Sequence, residues 1–175
     1  SHDRLLIPSN IWFVGTANHD ETTIEFADKT YDRSHVMELP TRPNPFSVKK
    51  LPERKPINVA SLKTMFKEAE SKYQKEAQNA FEYLNEELRE DLETYFGIGW
   101  GNRLEKQMSK YIPVVLASGG TQGEGLDHIL QTKILRKIRN RHDTQVAHFE
   151  KLKNTLSDTW EILIDKKEIP ARSIE

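Results

Sequence analysis

Two arginines and one asparagine stand where a polar side chain could meet a phosphate group or a water molecule. Asn18 follows an apolar run, Arg33 follows Asp32, and Arg103 follows the glycine-containing residues 97–101. A guanidinium carries a permanent charge and binds phosphate or carboxylate oxygens through a planar fork, and a carboxamide both donates and accepts hydrogen bonds. Each residue also has an ordinary interpretation: a turn or helix cap for the asparagine, and a surface ion pair or helix-start cation for the arginines. The residues alone leave both interpretations open.

A second group of cations lies toward the end of a predicted helix. Lys133, Arg136, Lys137 and Arg141 recur at helical spacing and form one basic stripe. The stripe is either a groove for nucleic acid, whose phosphates attract lysine and arginine, or a solvated face near a helix C-terminus, where cations complement the helix dipole. The six histidines are not clustered at metal-ligand spacing, so no metal site is predicted.

A strand, a short helix and a second strand are predicted to position the first two of these residues. Residues 11–14 are rich in β-branched and aromatic side chains, which predicts a buried strand that ends just before Asn18. Thr22 and Glu25 have the spacing of a capping box and predict a short helix. The second strand covers residues 35–39 and stops at a proline, which cannot continue a central strand.

This order of elements resembles the C-terminal part of the AAA+ ATPase core, most closely in its McrB-like and MoxR-like branches. FVGTANHDETT (residues 13–23) is similar to the sensor 1 strand with its terminal asparagine, and YDRSHVMEL (residues 31–39) is similar to the segment that carries the arginine finger. The resemblance implies that Asn18 orients the attacking water or contacts the γ-phosphate. It also implies that Arg33 reaches into the neighbouring subunit's nucleotide site and stabilises charge on the transferring phosphoryl group.

The rest of the chain predicts a helical bundle. Apolar side chains recur at helical intervals over residues 62–95, which predicts one long amphipathic helix or two nearly continuous ones. After a glycine-containing break, a helix over residues 102–112 is followed by Pro113, which predicts the first turn of another helix. Two further amphipathic helices are predicted over residues 124–140 and about 144–164.

The predicted fold class is therefore mainly α, with a short two-strand α/β remnant of a P-loop NTPase core followed by a helical lid bundle. The remnant and a proline-rich linker occupy residues 1–56, and the bundle occupies residues 57–175. In a complete core the first strand lies between neighbouring strands. We therefore expect it to pair with another chain, to swap between copies, or to pack on its own bundle.

Two segments of the bundle extend the resemblance to the lid of McrB-like motors. FGIGWGNRLEKQMSKYIPVV (residues 96–115) has the Gly-x-Arg that leads into a lid helix, and LDHILQTKILRKIRNRHD (residues 126–143) resembles a later lid helix. By this match Arg103 is the sensor 2 arginine, which contacts the phosphates of its own subunit and couples the nucleotide state to the angle of the lid. The resemblance covers residues 5 to about 142.

The parts of a P-loop enzyme that hold the nucleotide directly are expected outside this sequence. It contains neither a glycine-rich loop followed by Lys and Ser or Thr nor an acidic strand end for magnesium. We expect this chain alone to hold no cofactor and to hydrolyse no nucleotide. The resemblance implies ATP or GTP with Mg²⁺ in an intact protein, which forms a homo-oligomeric ring and remodels nucleic acid or protein. In McrB-like systems such a motor serves a partner nuclease in defence against foreign DNA.

The alternative is a free-standing helical adaptor. In that case Arg33 and Arg103 are structural, and the basic stripe binds nucleic acid or a partner protein.

Composition limits both hypotheses: the 175 residues carry a formal net charge of -1, so no overall field recruits nucleic acid or an anionic membrane. There is no cysteine and no long apolar run, so we expect a cytoplasmic protein with no disulfide, no thiolate metal site and no membrane partner.

Overall fold

Seven α-helices form in this computed structural model, which describes residues 6–17, 27–37, 47, 53, 55–138, 145–162, 170 and 173. The helices are α1 (Asp28–Arg33), α2 (Val59–Lys72), α3 (Gln74–Tyr83), α4 (Arg89–Phe96), α5 (Asn102–Ala117), α6 (Gln122–Ile129) and α7 (Val146–Thr159). Shorter turns extend three of them: π-helical turns at Leu84–Leu88 and Leu130–Ile134, and 3-10 turns at Leu135–Ile138 and Trp160–Ile162. The predicted mainly α class is confirmed.

The long amphipathic pattern over residues 62–95 is confirmed as a nearly continuous helical run made of α2, α3, the first π turn and α4. Asn58 begins it, because its side-chain oxygen accepts a hydrogen bond from the Ala60 amide at 2.8 Å. Gly97 ends it in the left-handed conformation, with φ of 57°. The next amide, that of Ile98, donates back to the carbonyl of Leu92 at 2.9 Å, which completes a glycine-terminated helix end.

Helix α5 lies at the centre of the bundle and packs against α2, α3 and α6. Its buried stripe of Leu104, Met108 and Ile112 recurs every fourth residue and faces these neighbours. Each large apolar side chain that is fully buried stabilises the fold by about 1.5–3 kcal/mol relative to an exposed position. The largest fully buried side chains are Trp160, Phe96, Leu84, Leu88, Leu92, Met108, Ile112, Leu126, Ile129, Leu130, Ile134 and Leu156.

The prediction that Pro113 starts a new helix is wrong, because Pro113 lies inside α5. A proline within a helix removes one backbone hydrogen bond and crowds the preceding turn. The helix nevertheless continues to Ala117, and Pro113 is itself buried together with Ile112. Packing of this stripe against the neighbouring helices outweighs the local cost.

Helix α6 begins two residues before its predicted start because of a capping box. The Thr121 hydroxyl accepts a hydrogen bond from the Glu124 amide at 3.1 Å, and the Glu124 carboxylate accepts one from the Thr121 amide at 2.9 Å. The helix then widens into the π turn at Leu130–Ile134, where both Lys133 and Ile134 are buried. The π turn thus places a lysine on the buried side of a helix beside its apolar residues.

The predicted strands do not form in the described part of the chain. Residues 11–14 are irregular and exposed, with Phe13 at 80% and Val14 at 91% of their full exposure, so this segment does not pack on the bundle. A strand needs a partner ladder for its backbone groups, and none of the described residues supplies one. Residues 35–37 are also irregular, and residues 38–39 lie outside the described ranges.

Helix α1 also differs from its prediction. The predicted cap at Thr22 lies outside the described residues, and α1 is described from Asp28, after Ala27, which makes no side-chain cap. Asp32 and Arg33 form the last turn of α1 instead of a link between a helix and a strand. The six residues of α1 are too few for a stable isolated helix, so its contacts with the bundle account for its presence.

Candidate functional site

Helix α1 lies across the π turn at Leu130–Ile134, and its residue Tyr31 is buried, with only 8% of its surface exposed. The guanidinium of Arg136 lies over the Tyr31 ring in a cation–π contact. The aromatic side chain thereby fills the space beside the basic stripe. Part of the stripe therefore faces α1 and not open solvent.

Lys133 holds the C-terminal end of α1. Its ammonium donates hydrogen bonds to the carbonyl of Tyr31, at 2.6 Å, and to the carbonyl of Ser34. The last carbonyls of a helix lack partners within the helix and carry its negative dipole end, so a cation is well suited to this position. Burial lowers the pKa of Lys133, while the nearby Asp32 carboxylate opposes that shift. The ammonium thus acts as a built-in cap for α1.

Asp32 has two contacts with different elements of the bundle. The side-chain amide of Gln107, on α5, donates a hydrogen bond to the Asp32 carbonyl at 2.8 Å. The Lys137 ammonium lies 3.8 Å from the Asp32 carboxylate, and both side chains are about one-third exposed. Such a long, solvated ion pair contributes at most about 1 kcal/mol. The Gln107 bond matters more for position, because it links α1 to a second helix.

The ring of His35, two residues after the end of α1, packs against the rings of Tyr111 and His128. The ring centroids of His35 and Tyr111 are 4.8 Å apart, those of His35 and His128 are 4.9 Å apart, and those of Tyr111 and His128 are 5.4 Å apart. Burial, with a smaller effect of the Lys133 charge, lowers the pKa of His35 below its ordinary value of 6.5. His35 remains partly exposed, and the partial burial of its ring favours the neutral form.

This shift predicts that docking of α1 weakens in acid. Since the pKa of His35 is lower in the folded state, the undocked chain binds more protons as the pH falls through 6.5. The contribution of neutral His35 to docking is complete above pH 6.5 and is lost as the pH falls toward the lower pKa that His35 has in the docked state. NMR cross-peaks between the His35 and Tyr111 rings should weaken over this range. His148→Gln, which changes a histidine stacked on Tyr95, should leave the loss unchanged. Cross-peaks of constant intensity down to pH 5 would contradict the prediction.

A pocket of about 220 Å³ opens at the start of α5, beside the end of α1. Arg103, Lys133, Lys137 and Asp32 are all in its described lining. The Lys133 ammonium is bound to carbonyls of α1 and Lys137 lies near the Asp32 carboxylate, so Arg103 is the cation that has no partner among the described residues. Its guanidinium suits an anion, and phosphate oxygens are the anions that arginine and lysine bind most readily in proteins. Among the described residues, the lining consists of Asp32, Gly99, Trp100, Gly101, Arg103, Leu104, Gln107, Lys133, Ile134 and Lys137.

The glycine-containing loop that forms one wall of this pocket is held in place through Trp100. The Trp100 indole donates a hydrogen bond to the Asn85 side chain at 3.1 Å. The guanidinium of Arg89 lies 5.1 Å from the centroid of the Trp100 ring and donates to the Trp100 carbonyl at 2.9 Å. These contacts fix the loop to the helical run at its π turn and at the start of α4. They position Arg103, which follows in the first turn of α5.

The structure brings some of the predicted site residues together and separates others. Arg103 is exposed at the pocket, and Lys133 and Lys137 lie in its wall. Arg33 is exposed at the end of α1 and does not line the pocket. Neither arginine makes a hydrogen bond or ion pair with another described residue. The predicted site residues Asn18 and Arg141 lie outside the described residues, so their roles stay predictions.

The three described members of the basic stripe have contacts with α1 or with the residue that follows it. Lys133 is only 7% exposed and is bound to carbonyls of α1, Arg136 covers Tyr31, and Lys137 faces Asp32. The three described members of the stripe thus all face α1. Helical periodicity did not reveal this, because the π turn rotates Lys133 onto the buried side. A lysine directly before Ile134 in an apolar stretch was the only signal in the sequence.

Two further properties follow from the described ranges alone. No helix there combines the length and the apolar character that crossing a bilayer requires. No group of three or more histidine, aspartate or glutamate side chains is placed there to hold a metal ion.

Comparisons of the chain with protein-family models, with curated proteins and with solved structures found no match.

Proposed function

We propose that this chain is the sensor, arginine-finger and lid part of an AAA+ NTPase of the McrB-like and MoxR-like type. In this proposal it works in a homo-oligomeric ring that couples hydrolysis of ATP or GTP to remodelling of nucleic acid or protein. A partner nuclease in a DNA-defence system is the particular form that the sequence resemblance suggests. The observation that carries the proposal is the cationic pocket at the start of α5, at the residue that resembles sensor 2.

The pocket is suited to phosphate oxygens. Arg103 is exposed there and makes no hydrogen bond or ion pair with the other described residues, so its guanidinium is available to a ligand. Asp32, the one carboxylate in the described lining, already faces Lys137. The residues present therefore fit the phosphates of a nucleotide but do not offer a set of ligands for Mg²⁺. In the proposal the magnesium ligands belong to the part of the motor that carries the Walker motifs.

Arg33 is suited to a role between subunits. It lies at the exposed end of α1, outside the pocket that Arg103 lines, and makes no hydrogen bond or ion pair with another described residue. An arginine finger must project from its own subunit to reach the nucleotide of its neighbour. The exposure of Arg33 on a docked helix supports this assignment.

The exposed segment before α1 weighs against the proposal unless another chain or domain covers it. Trp12 is 69% exposed and Phe13 is 80% exposed, which is unusual for a sequence with the pattern of a buried strand. The proposal requires a P-loop domain, on the same polypeptide or on an assembled partner, that pairs with residues 11–14. If no such domain associates with this chain, the proposal fails.

The adaptor hypothesis is less well supported. It uses the basic stripe as a binding surface for nucleic acid, but Lys133 is buried against α1 and Lys137 faces Asp32. Nucleic-acid binding by a lysine requires that its ammonium reach a phosphate from the surface. A cytoplasmic location is a prediction under either hypothesis.

The proposal predicts a specific effect of Arg103→Ala in the complete motor, meaning this chain together with the P-loop part that the proposal requires. Nucleotide affinity should fall by about 10-fold to 100-fold, because one charge-assisted hydrogen bond to phosphate is lost. Titration with a fluorescent nucleotide analogue measures the change. Lys106→Ala, which removes an exposed cation of the same helix outside the pocket, is the matched control. Unchanged affinity in Arg103→Ala would refute the sensor 2 assignment.

A further inference from the structure

We infer that Lys133 is a positioning residue that fastens α1, and with it Arg33, to the helices that carry Arg103. The two arginines then move as one body when the lid changes its angle. The fastening follows from the contacts of this chain, whereas its consequence for nucleotide hydrolysis rests on the proposed function.

Helix α1 depends on its docking contacts for stability. It has six residues, fewer than an isolated helix needs, and Ala27 before it provides no side-chain cap. Lys133 donates hydrogen bonds to the carbonyls of Tyr31 and Ser34, and Gln107 donates one to the carbonyl of Asp32. Arg33 lies between the two carbonyls that Lys133 binds, so the position of its backbone follows that of Lys133.

The second contact joins α1 to the helix of Arg103 itself. Gln107 donates to the Asp32 carbonyl at 2.8 Å, and Gln107 lies one turn after Arg103 on α5. Residues four apart in a helix are neighbours on one face. Helix α6 runs directly into the π turn of Lys133 and packs on α5. Both contacts therefore hold α1 to one packed unit that contains Arg103.

The segment before α1, residues 6–17, is attached to the bundle more weakly than α1 is. Residues 11–14 are exposed, and among the described residues the Lys63 ammonium joins the neighbouring segment to the bundle through a hydrogen bond to the Ser9 hydroxyl at 3.1 Å. An exposed bond of this kind constrains a chain weakly. Arg33 is thus fixed with respect to α5 and α6 more firmly than with respect to residues 6–17.

The fastening is tested on this chain alone by distance measurement between spin labels. The sequence has no cysteine, so Lys29→Cys on α1 and Lys110→Cys on α5 provide two unique, exposed labelling sites. Pulsed electron paramagnetic resonance spectroscopy should give one narrow distribution of distances between the two spin labels. Lys133→Met keeps an unbranched apolar side chain one atom shorter and removes the donor, and we expect it to broaden the distribution. Lys137→Met, which removes only the long ion pair with Asp32, should leave it narrow.

Hydrogen exchange provides a second readout if Lys133→Met perturbs the π turn. The amides of residues 30 and 34 should exchange about tenfold faster or more in Lys133→Met, while the amides of α3 and α5 keep their protection. Gln107→Ala, which leaves the π turn unchanged, should give a smaller increase at the same amides. A broad distribution in the labelled parent, or a narrow one with unchanged exchange in Lys133→Met, would overturn the inference.

The consequence for hydrolysis is tested in the complete motor. Lys133→Met should lower kcat by about tenfold or more with little change in KM, because Arg33 is displaced while Arg103 still binds phosphate. If Lys133→Met releases α1 but leaves kcat unchanged while Arg33→Ala abolishes turnover, the coupling is refuted and the proposed function stands. If Arg33→Ala itself leaves turnover intact, the finger assignment of the proposed function fails and the fastening of α1 is unaffected.

Discussion

Arg33→Ala in the complete motor is expected to lower kcat by about 10³-fold to 10⁵-fold, because an arginine supplied across a subunit interface stabilises the charge that develops on the transferring phosphoryl group. Nucleotide affinity should stay within a few fold, since Arg33 lies outside the pocket that contains Arg103. Steady-state turnover and nucleotide titration on the same preparation separate the two effects.

The structure makes this substitution easy to interpret. Arg33 is exposed and makes no hydrogen bond or ion pair with another described residue, so its removal should change the stability of the fold by no more than about 0.5 kcal/mol. Lys29→Ala is the matched control, because it removes another exposed cation from the same six-residue helix. It should leave turnover at the parent level.

A mixing experiment tests whether the arginine acts across the interface. Subunits with Arg33→Ala and subunits with a defective Walker motif are each expected to be inactive alone. In mixed rings, an intact Arg33 next to an intact Walker site should restore part of the activity. Turnover of Arg33→Ala within a few fold of the parent, or no recovery in mixed rings, would contradict the finger assignment.

Trp160→Ala is expected to destabilise the bundle by about 3–5 kcal/mol, the usual cost of deleting a fully buried tryptophan side chain. Trp160 is only 1% exposed and meets Tyr83 edge to face, with ring centroids 5.8 Å apart. The Tyr83 hydroxyl is hydrogen-bonded to Thr159 at 2.8 Å, and burial raises the pKa of Tyr83 to about 12. Trp160→Ala therefore weakens the packing of α7 against the helical run that contains Tyr83. Urea unfolding followed by circular dichroism measures it.

Trp160→Phe is the control for this effect. The indole nitrogen of Trp160 is buried and makes no hydrogen bond with the described residues. Phenylalanine keeps most of the apolar surface and removes this unsatisfied donor, so the cost should stay within about 1.5 kcal/mol. Equal destabilisation by both substitutions would show that Trp160 is not packed as the structure describes.

The helical half of the fold was predictable from the sequence because its periodic pattern and its packing agree. Apolar side chains at helical intervals over residues 62–95 become the buried faces of α2, α3 and α4. The glycine-containing residues 97–101 are the link between helices that their composition predicted. In these regions each local preference is consistent with the tertiary contacts, so the pattern alone was sufficient.

Predictions failed where distant contacts outweigh local preference. Pro113 signals a helix start, but the buried stripe of α5 carries the helix through it. Residues 11–14 have the composition of a strand, yet a strand requires a partner, and the described chain contains none. Regular helical spacing also does not show that Lys133 is buried, since Lys133 lies in the π turn at Leu130–Ile134.

The sequence by itself determined the mainly helical class. It also predicted a division at the proline-rich linker, and it singled out Asn18, Arg33 and Arg103 as residues whose types suit phosphate chemistry. It did so because composition, spacing and helix signals act over short stretches of chain. Only the tertiary structure decided that Asp32, Arg103, Lys133 and Lys137 share one pocket and that α1 is docked on the π turn. Asp32, Arg103 and the pair of Lys133 and Lys137 lie in separate stretches of the sequence, and the packing of α6 on α5 together with the docking of α1 on the π turn brings them together.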